Sequence, residues 1–134
     1  MRIKVHEKQE TRLSRATSEA RNSDADLFDY LYELGQELYK WRKGELSFEE
    51  ATPGIVKGLE RHIGPRTAFN EFKRRGVKDS DYFMATSMAE YAAVALMDKG
   101  EDFVKAFLAD KNATVPPDVW DAAVKTWIDD EKDL

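Results

Sequence analysis

Apolar positions recur every three to four residues along most of the chain, the period of an α-helix buried on one side, and no pair of strand-like runs is joined by a hairpin signal. The densest stretch is Ser80 to Lys99, closed by Gly100, where apolar residues surround most of the helical circumference. Such a segment belongs in the middle of a molecule. Ala85, Ala89, Ala92 and Leu96 make a small-residue face, and Met84, Met88, Tyr91 and Ala95 a bulkier one nearly opposite. Two layers of helices can therefore sandwich it, and the pattern suggests the helix from Asp24 to Lys43 on one side and the last helix on the other. Glu90 shares a third sector with Phe83, Thr86, Val94 and Met97. Either that sector faces water, or the carboxylate pairs with a cation, or it is buried with a raised pKa.

Elsewhere the helices are marked by their ends. Ser23 caps a helix expected to reach about Lys43, with Leu27, Leu31, Leu34, Leu38 and Trp41 along its inner stripe and Gly44 beyond it. Its other side is an acidic ridge of Asp26, Asp29, Glu33 and Glu37, normally a solvated face but also suited to a divalent cation or a basic partner. Ser47-Phe48-Glu49-Glu50 reads as a capping box, and Thr52-Pro53 opens a helix with Ile55, Val56, Leu59 and Ile63 inward. Gly64-Pro65 ends that helix and starts another, from Arg66 to Arg75, which buries Ala68, Phe69 and Phe72 before Gly76. Glu101 to Lys111 follows with Phe103, Val104, Phe107 and Leu108, and Pro116-Pro117-Asp118 starts a last helix with Val119, Trp120, Ala123, Val124, Trp127 and Ile128 inward.

These elements predict an all-α, single-domain bundle of six or seven helices around a central helix at 80–99. Residues 23–130 would form the helical domain. Residues 1–22 are a weakly specified, mildly basic arm: Ile3 and Val5 alternate as in a strand, while Leu13, Ala16 and Ala20 share a helical face. The tail at 131–134 is acidic and expected to fray, as is the chain from Asp129 onward.

Composition narrows the chemistry. A chain of 134 residues can bury about two-thirds of its unfolded surface, enough for a real core. At 35% its charged residues exceed the usual quarter, so the exterior is strongly polar. With no cysteine, disulfides, thiolate catalysis and cysteine-held metals are excluded. No apolar run is long enough for a bilayer and the first twenty residues are too polar for a secretory signal, so a cytoplasmic location without membrane attachment is expected. His6 and His62 stand without metal-ligand partners at helical spacing, and Gly54 and Gly58 are not followed by the Lys and Ser/Thr of a phosphate loop. No cofactor is expected.

Charge distribution carries the one anomaly. Between Lys57 and Lys78 seven basic residues face only Glu60 and Glu71, a local net of +5 in a chain of net −5, so the remainder carries −10. Arg66, Asn70, Lys73 and Arg74 are expected along one side of their helix, away from Phe69 and Phe72. With Arg61, His62, Arg75 and Lys78 they form a strip suited to a DNA or RNA backbone or another anion, since phosphates reward several cationic contacts. No base-reading motif accompanies it. The sequence thus points to a non-enzymatic helical binding module, an accessory subunit of a nucleic-acid-handling assembly. The strip also suits an acidic protein surface or a second copy of the chain. An alternative is a protein-only adaptor, inhibitor or immunity-type factor that meets a basic partner through its acidic surface. A weaker enzymatic alternative places acid–base chemistry on His62 with Glu60 and Arg66.

Overall fold

The computed structural model describes residues 25–78 and 81–132. The expected arm, 1–22, lies outside them. The chain divides into two units, Met1–Tyr30 and Leu31–Leu134, and the buried apolar residues of the described chain belong to the second.

The fold is an all-α helical bundle, with no strand among the described residues. Its helices are α1 (25–34), α2 (Gln36–Arg42), α3 (Thr52–Ile63), α4 (Pro65–Arg74), α5 (Ala85–Met97), α6 (Glu101–Ala109) and α7 (Pro117–Lys132), with a 3-10 turn at Tyr82–Met84 leading into α5. The single helix expected from Ser23 to Lys43 is thus two. Gly35, the residue with the poorest intrinsic helix preference apart from proline, takes φ 157° and ψ 145° between them. Its N–H still bonds to Leu31 O and its carbonyl accepts from Tyr39 N, so one extended residue joins two otherwise complete helices.

Several end signals act as the sequence suggests. Ser47 and Glu50 form a reciprocal capping box: Ser47 Oγ accepts from Glu50 N at 3.0 Å and Glu50 Oε1 accepts from Ser47 N at 3.1 Å. Gly64 separates α3 from α4 with φ 86°, in the left-handed region that side chains with a Cβ resist, and Pro65 then supplies a pre-set first helical residue.

Helix α5 is the centre, with α3, α4 and α7 packed against it. Ala85, Ala89, Ala92, Ala93, Leu96 and Met88 are all buried. The last helix lies where the pattern placed it. The other expected neighbour does not: α3 and α4 take that side, while α2 packs on α3. Gly58 explains the second pairing, because a Cβ there would come within 2.2 Å of Leu38 Cδ1. The missing side chain is the seat into which Leu38 fits.

Aromatic residues link the layers. Phe72 of α4 is fully buried and meets Trp120 and Trp127 of α7 edge-on, with centroids 6.3 and 5.8 Å away. Tyr91 of α5 packs on the same Trp127 at 5.3 Å. Trp41 is buried under Phe48, and its Nε1 donates to Glu101 Oε1 at 3.0 Å, tying α2 to the start of α6. One expectation about α7 needs correction: Ile128 is 38% exposed rather than inward. The helix runs as far as Lys132, with the Tyr91 hydroxyl donating to Asp130, and residues 133–134 of the expected frayed tail lie outside the described residues.

Candidate nucleic-acid interface

Helix α4 is short and two-sided. Ala68 and Phe72 point into the core, and Arg66, Asn70 and Lys73 are exposed on the other side. Phe69, expected to be buried away from the cations, instead lies on the same helical stripe as those three, because residues three and four apart share a face, and it is only half-buried. Its ring carries Lys73 Nζ at 5.6 Å from the centroid, a cation–π geometry. Tyr82 approaches Phe69 edge-on at 5.7 Å.

The turn that presents Tyr82 is built by one acid. Asp81 Oδ1 accepts from Phe83 N at 2.9 Å and the Asp81 carbonyl accepts from Met84 N at 2.9 Å, which fixes the 3-10 turn before α5. Tyr82 is left 59% exposed and Phe83 94% exposed. An apolar ring so nearly naked, next in sequence to a half-exposed tyrosine that meets Phe69 of α4, is the most unusual feature of this surface.

The eight residues of the basic strip divide into two groups. Arg66, Asn70, Lys73 and Lys78 are exposed, and no ion pair holds the three cations among the described residues. The other four are engaged elsewhere. Arg61 Nη1 donates to Glu33 O at the carboxyl end of α1, a site that welcomes positive charge. Arg74 Nη2 pairs with Glu71 Oε2 at 2.9 Å. Arg75, with a side chain only 17% exposed, is clamped between Glu71 and Asp121 of α7. His62 lies half-buried with its ring 4.8 Å from that of Phe107, in a groove of about 470 Å³ that also takes in Thr67, Glu71, Arg74 and Trp120.

Burial pushes the His62 pKa below the usual histidine range, with Asp110 partly opposing it. His62 is therefore neutral at pH 7 and adds no charge to the strip. For such a group the unfolded chain takes up a proton first, so stability declines as pH falls through about 6.5 toward the depressed folded value. Urea titrations at pH 7.5 and 5.5 should show that decline, and His62→Gln should reduce it. Glu60 is shifted the opposite way, raised by burial and by the nearby Glu90, with Lys57 offsetting in part. Glu90 and Lys57 thus act on Glu60, and Asp110 acts on His62.

Glu90 itself is exposed, together with Thr86 and Val94, so this sector of α5 faces water. Between it and α7 runs a second groove of about 430 Å³ walled by Glu90, Asp98 and Asp130 around Val94 and Ala95. No three His, Cys, Asp or Glu side chains converge on a metal-sized site among the described residues. No described helix is long and apolar enough to cross a membrane.

Sequence reasoning grouped Phe83 with the central helix and missed Tyr82 altogether. A signal was present: an aspartate at 81 ahead of an apolar helix is a cap, and the first turn after a cap is where burial is least complete. Compared with protein-family models, curated proteins and solved structures, the chain matches none.

Proposed function

We propose that this protein is a non-enzymatic binding module that engages the backbone of a nucleic acid through Arg66, Asn70, Lys73 and Lys78, as an accessory subunit of a nucleoprotein assembly in the cytoplasm. The observation that carries this reading is the exposed face of α4, where cations with no acidic partner among the described residues gather in a chain of net −5. A negative molecule would otherwise be expected to neutralise them internally, as it does Arg74 and Arg75. With three cationic contacts, log affinity should fall with log salt at a slope of about −2 to −3. Arg66→Glu and Lys73→Glu should each weaken binding roughly tenfold at about 50 mM salt and flatten that slope. Arg75→Glu is not a suitable control, because it breaks the clamp to α7. Binding that ignores Arg66→Glu and Lys73→Glu together would remove the proposal.

A second reading, contact with a basic protein, is favoured by the groove between α5 and α7, where Val94 is 48% exposed among three carboxylates. On that reading the purified protein ignores nucleic acid at low salt, retains one protein from its own cells after nuclease treatment, and loses it on Val94→Lys.

A further inference from the structure

We infer that the ligand of the α4 face is single-stranded DNA or RNA, its bases stacking on Tyr82 and Phe83 while its phosphates pass Arg66 and Lys73. This rests on the nucleic-acid reading above and specifies which form is taken. Phosphate contacts alone do not distinguish a single strand from a duplex. The rings do.

Phe83 is 94% exposed and Tyr82 59% exposed, on a turn held by the Asp81 cap rather than by burial of the rings. Tyr82 is steadied by its edge contact with Phe69, whose ring also carries Lys73. The arrangement therefore runs from a cation onto rings: Lys73 on Phe69, Phe69 against Tyr82, and exposed Phe83 one residue farther along the chain. In a duplex the bases are already stacked on one another, and flat faces exposed at the protein surface have nothing to meet. Unpaired bases each present a π-face, and aromatic platforms beside cations are the common means of holding them.

Size points the same way. Arg66 and Lys73 lie seven residues apart on one helix, about 10 Å along its axis, a span that only a few phosphates of one strand can cover. Duplex binders that function at physiological salt commonly neutralise more phosphates than this, about 6–10. A short flexible strand can follow three cations and turn its bases toward the rings, whereas a rigid duplex meets few of these groups at once.

The test is fluorescence anisotropy at low salt with a single-stranded DNA and a single-stranded RNA of about ten nucleotides, their duplexes, and an abasic deoxyribose-phosphate strand of equal length. The base-bearing single strands should bind about tenfold more tightly than the duplexes and the abasic strand. Phe83→Ala should weaken single-strand binding about tenfold while leaving the abasic strand unchanged, and Phe83→Trp should preserve it. Because the ring is almost wholly exposed, these variants should melt like the parent protein. Equal binding of abasic and base-bearing strands, a preference for duplex, or indifference to Phe83→Ala would overturn the inference; if Lys73→Glu still weakened binding, the backbone reading would survive. Failure of the parent protein to bind any of these probes would overturn both. Whether DNA or RNA is favoured is read from the same titrations, and a single-strand preference in either supports the inference.

Discussion

Phe72→Ala should lower the stability of this protein by about 3–5 kcal/mol and its melting temperature by about 10–20 °C. Phe72 is fully buried and stands between two tryptophans of α7, meeting both edge-on. Truncation removes the apolar contact area and leaves a space lined by large rings. Those rings cannot close the gap easily, since Trp127 is also held from the other side by Tyr91 of α5. The loss should lie in the upper part of the range for that reason. With typical total stabilities of about 5–15 kcal/mol, the variant would be marginal at 37 °C. Urea unfolding followed by far-ultraviolet circular dichroism checks this, with a lower midpoint and an unchanged slope as the expected pattern. Phe83→Ala gives the contrast: the same chemical change at a nearly naked site should stay within about 0.5 kcal/mol of the parent. If both alanine variants cost the same, the burial assigned to Phe72 is wrong.

Ala92→Leu should destabilise by about 1–3 kcal/mol through the opposite defect, too much volume. Ala92 and its neighbour Ala93 have no exposed surface, and α5 is flanked by α3, α4 and α7. A leucine there must displace one of these helices or adopt a strained rotamer. Close packing at small residues is what allows three helices to approach the central one, so the penalty follows from the same feature that stabilises the parent. Ala95→Leu, at a half-exposed position bordering the groove toward α7, should be tolerated far better. Thermal melting of the two variants side by side distinguishes them, and an Ala92→Leu protein as stable as its Ala95→Leu counterpart would mean that α5 is looser than drawn here.

Helix ends were the most legible part of this fold. Ser47 and Glu50 three residues apart in a capping box, Gly64 ahead of Pro65, and Pro117 ahead of Asp118 act on backbone within a few residues of themselves, so the local sequence contains the whole cause. The break at Gly35 was hidden because Leu31, Leu34 and Leu38 keep helical spacing across it. A change in one residue's dihedral angles leaves the apolar stripe intact. Which helix covers which face of α5 was not legible either, since an alanine-rich face accepts any partner that can come close. The seat for Leu38 depends on an absent side chain at Gly58, twenty positions away.

The candidate surface was legible in charge and illegible in geometry. Seven cations in one stretch were plain, but the fate of Arg75 depends on Asp121, which lies 46 residues along the chain and on another helix. Arg61 turns to a main-chain carbonyl at Glu33, for which no side-chain pattern exists. Tyr82 and Phe83 were obscured by their company: at the edge of the most apolar segment, two aromatic residues look like more core. Only the Asp81 cap reveals that they precede the helix proper.

The enclosure of α5 also has a kinetic meaning. On its buried faces the backbone hydrogen bonds are shielded by α3 and α4 from one part of the sequence and by α7 from another, so fraying of a single helix end does not open them. Amide protons at Ala89, Ala92 and Ala93 should therefore exchange with deuterium only when the whole bundle comes apart, whereas those of the Tyr82–Met84 turn, held by Asp81 at an exposed site, should exchange much sooner. A ligand on the neighbouring surface would then slow the fast class first, while the slow class reports the lifetime of the folded state itself.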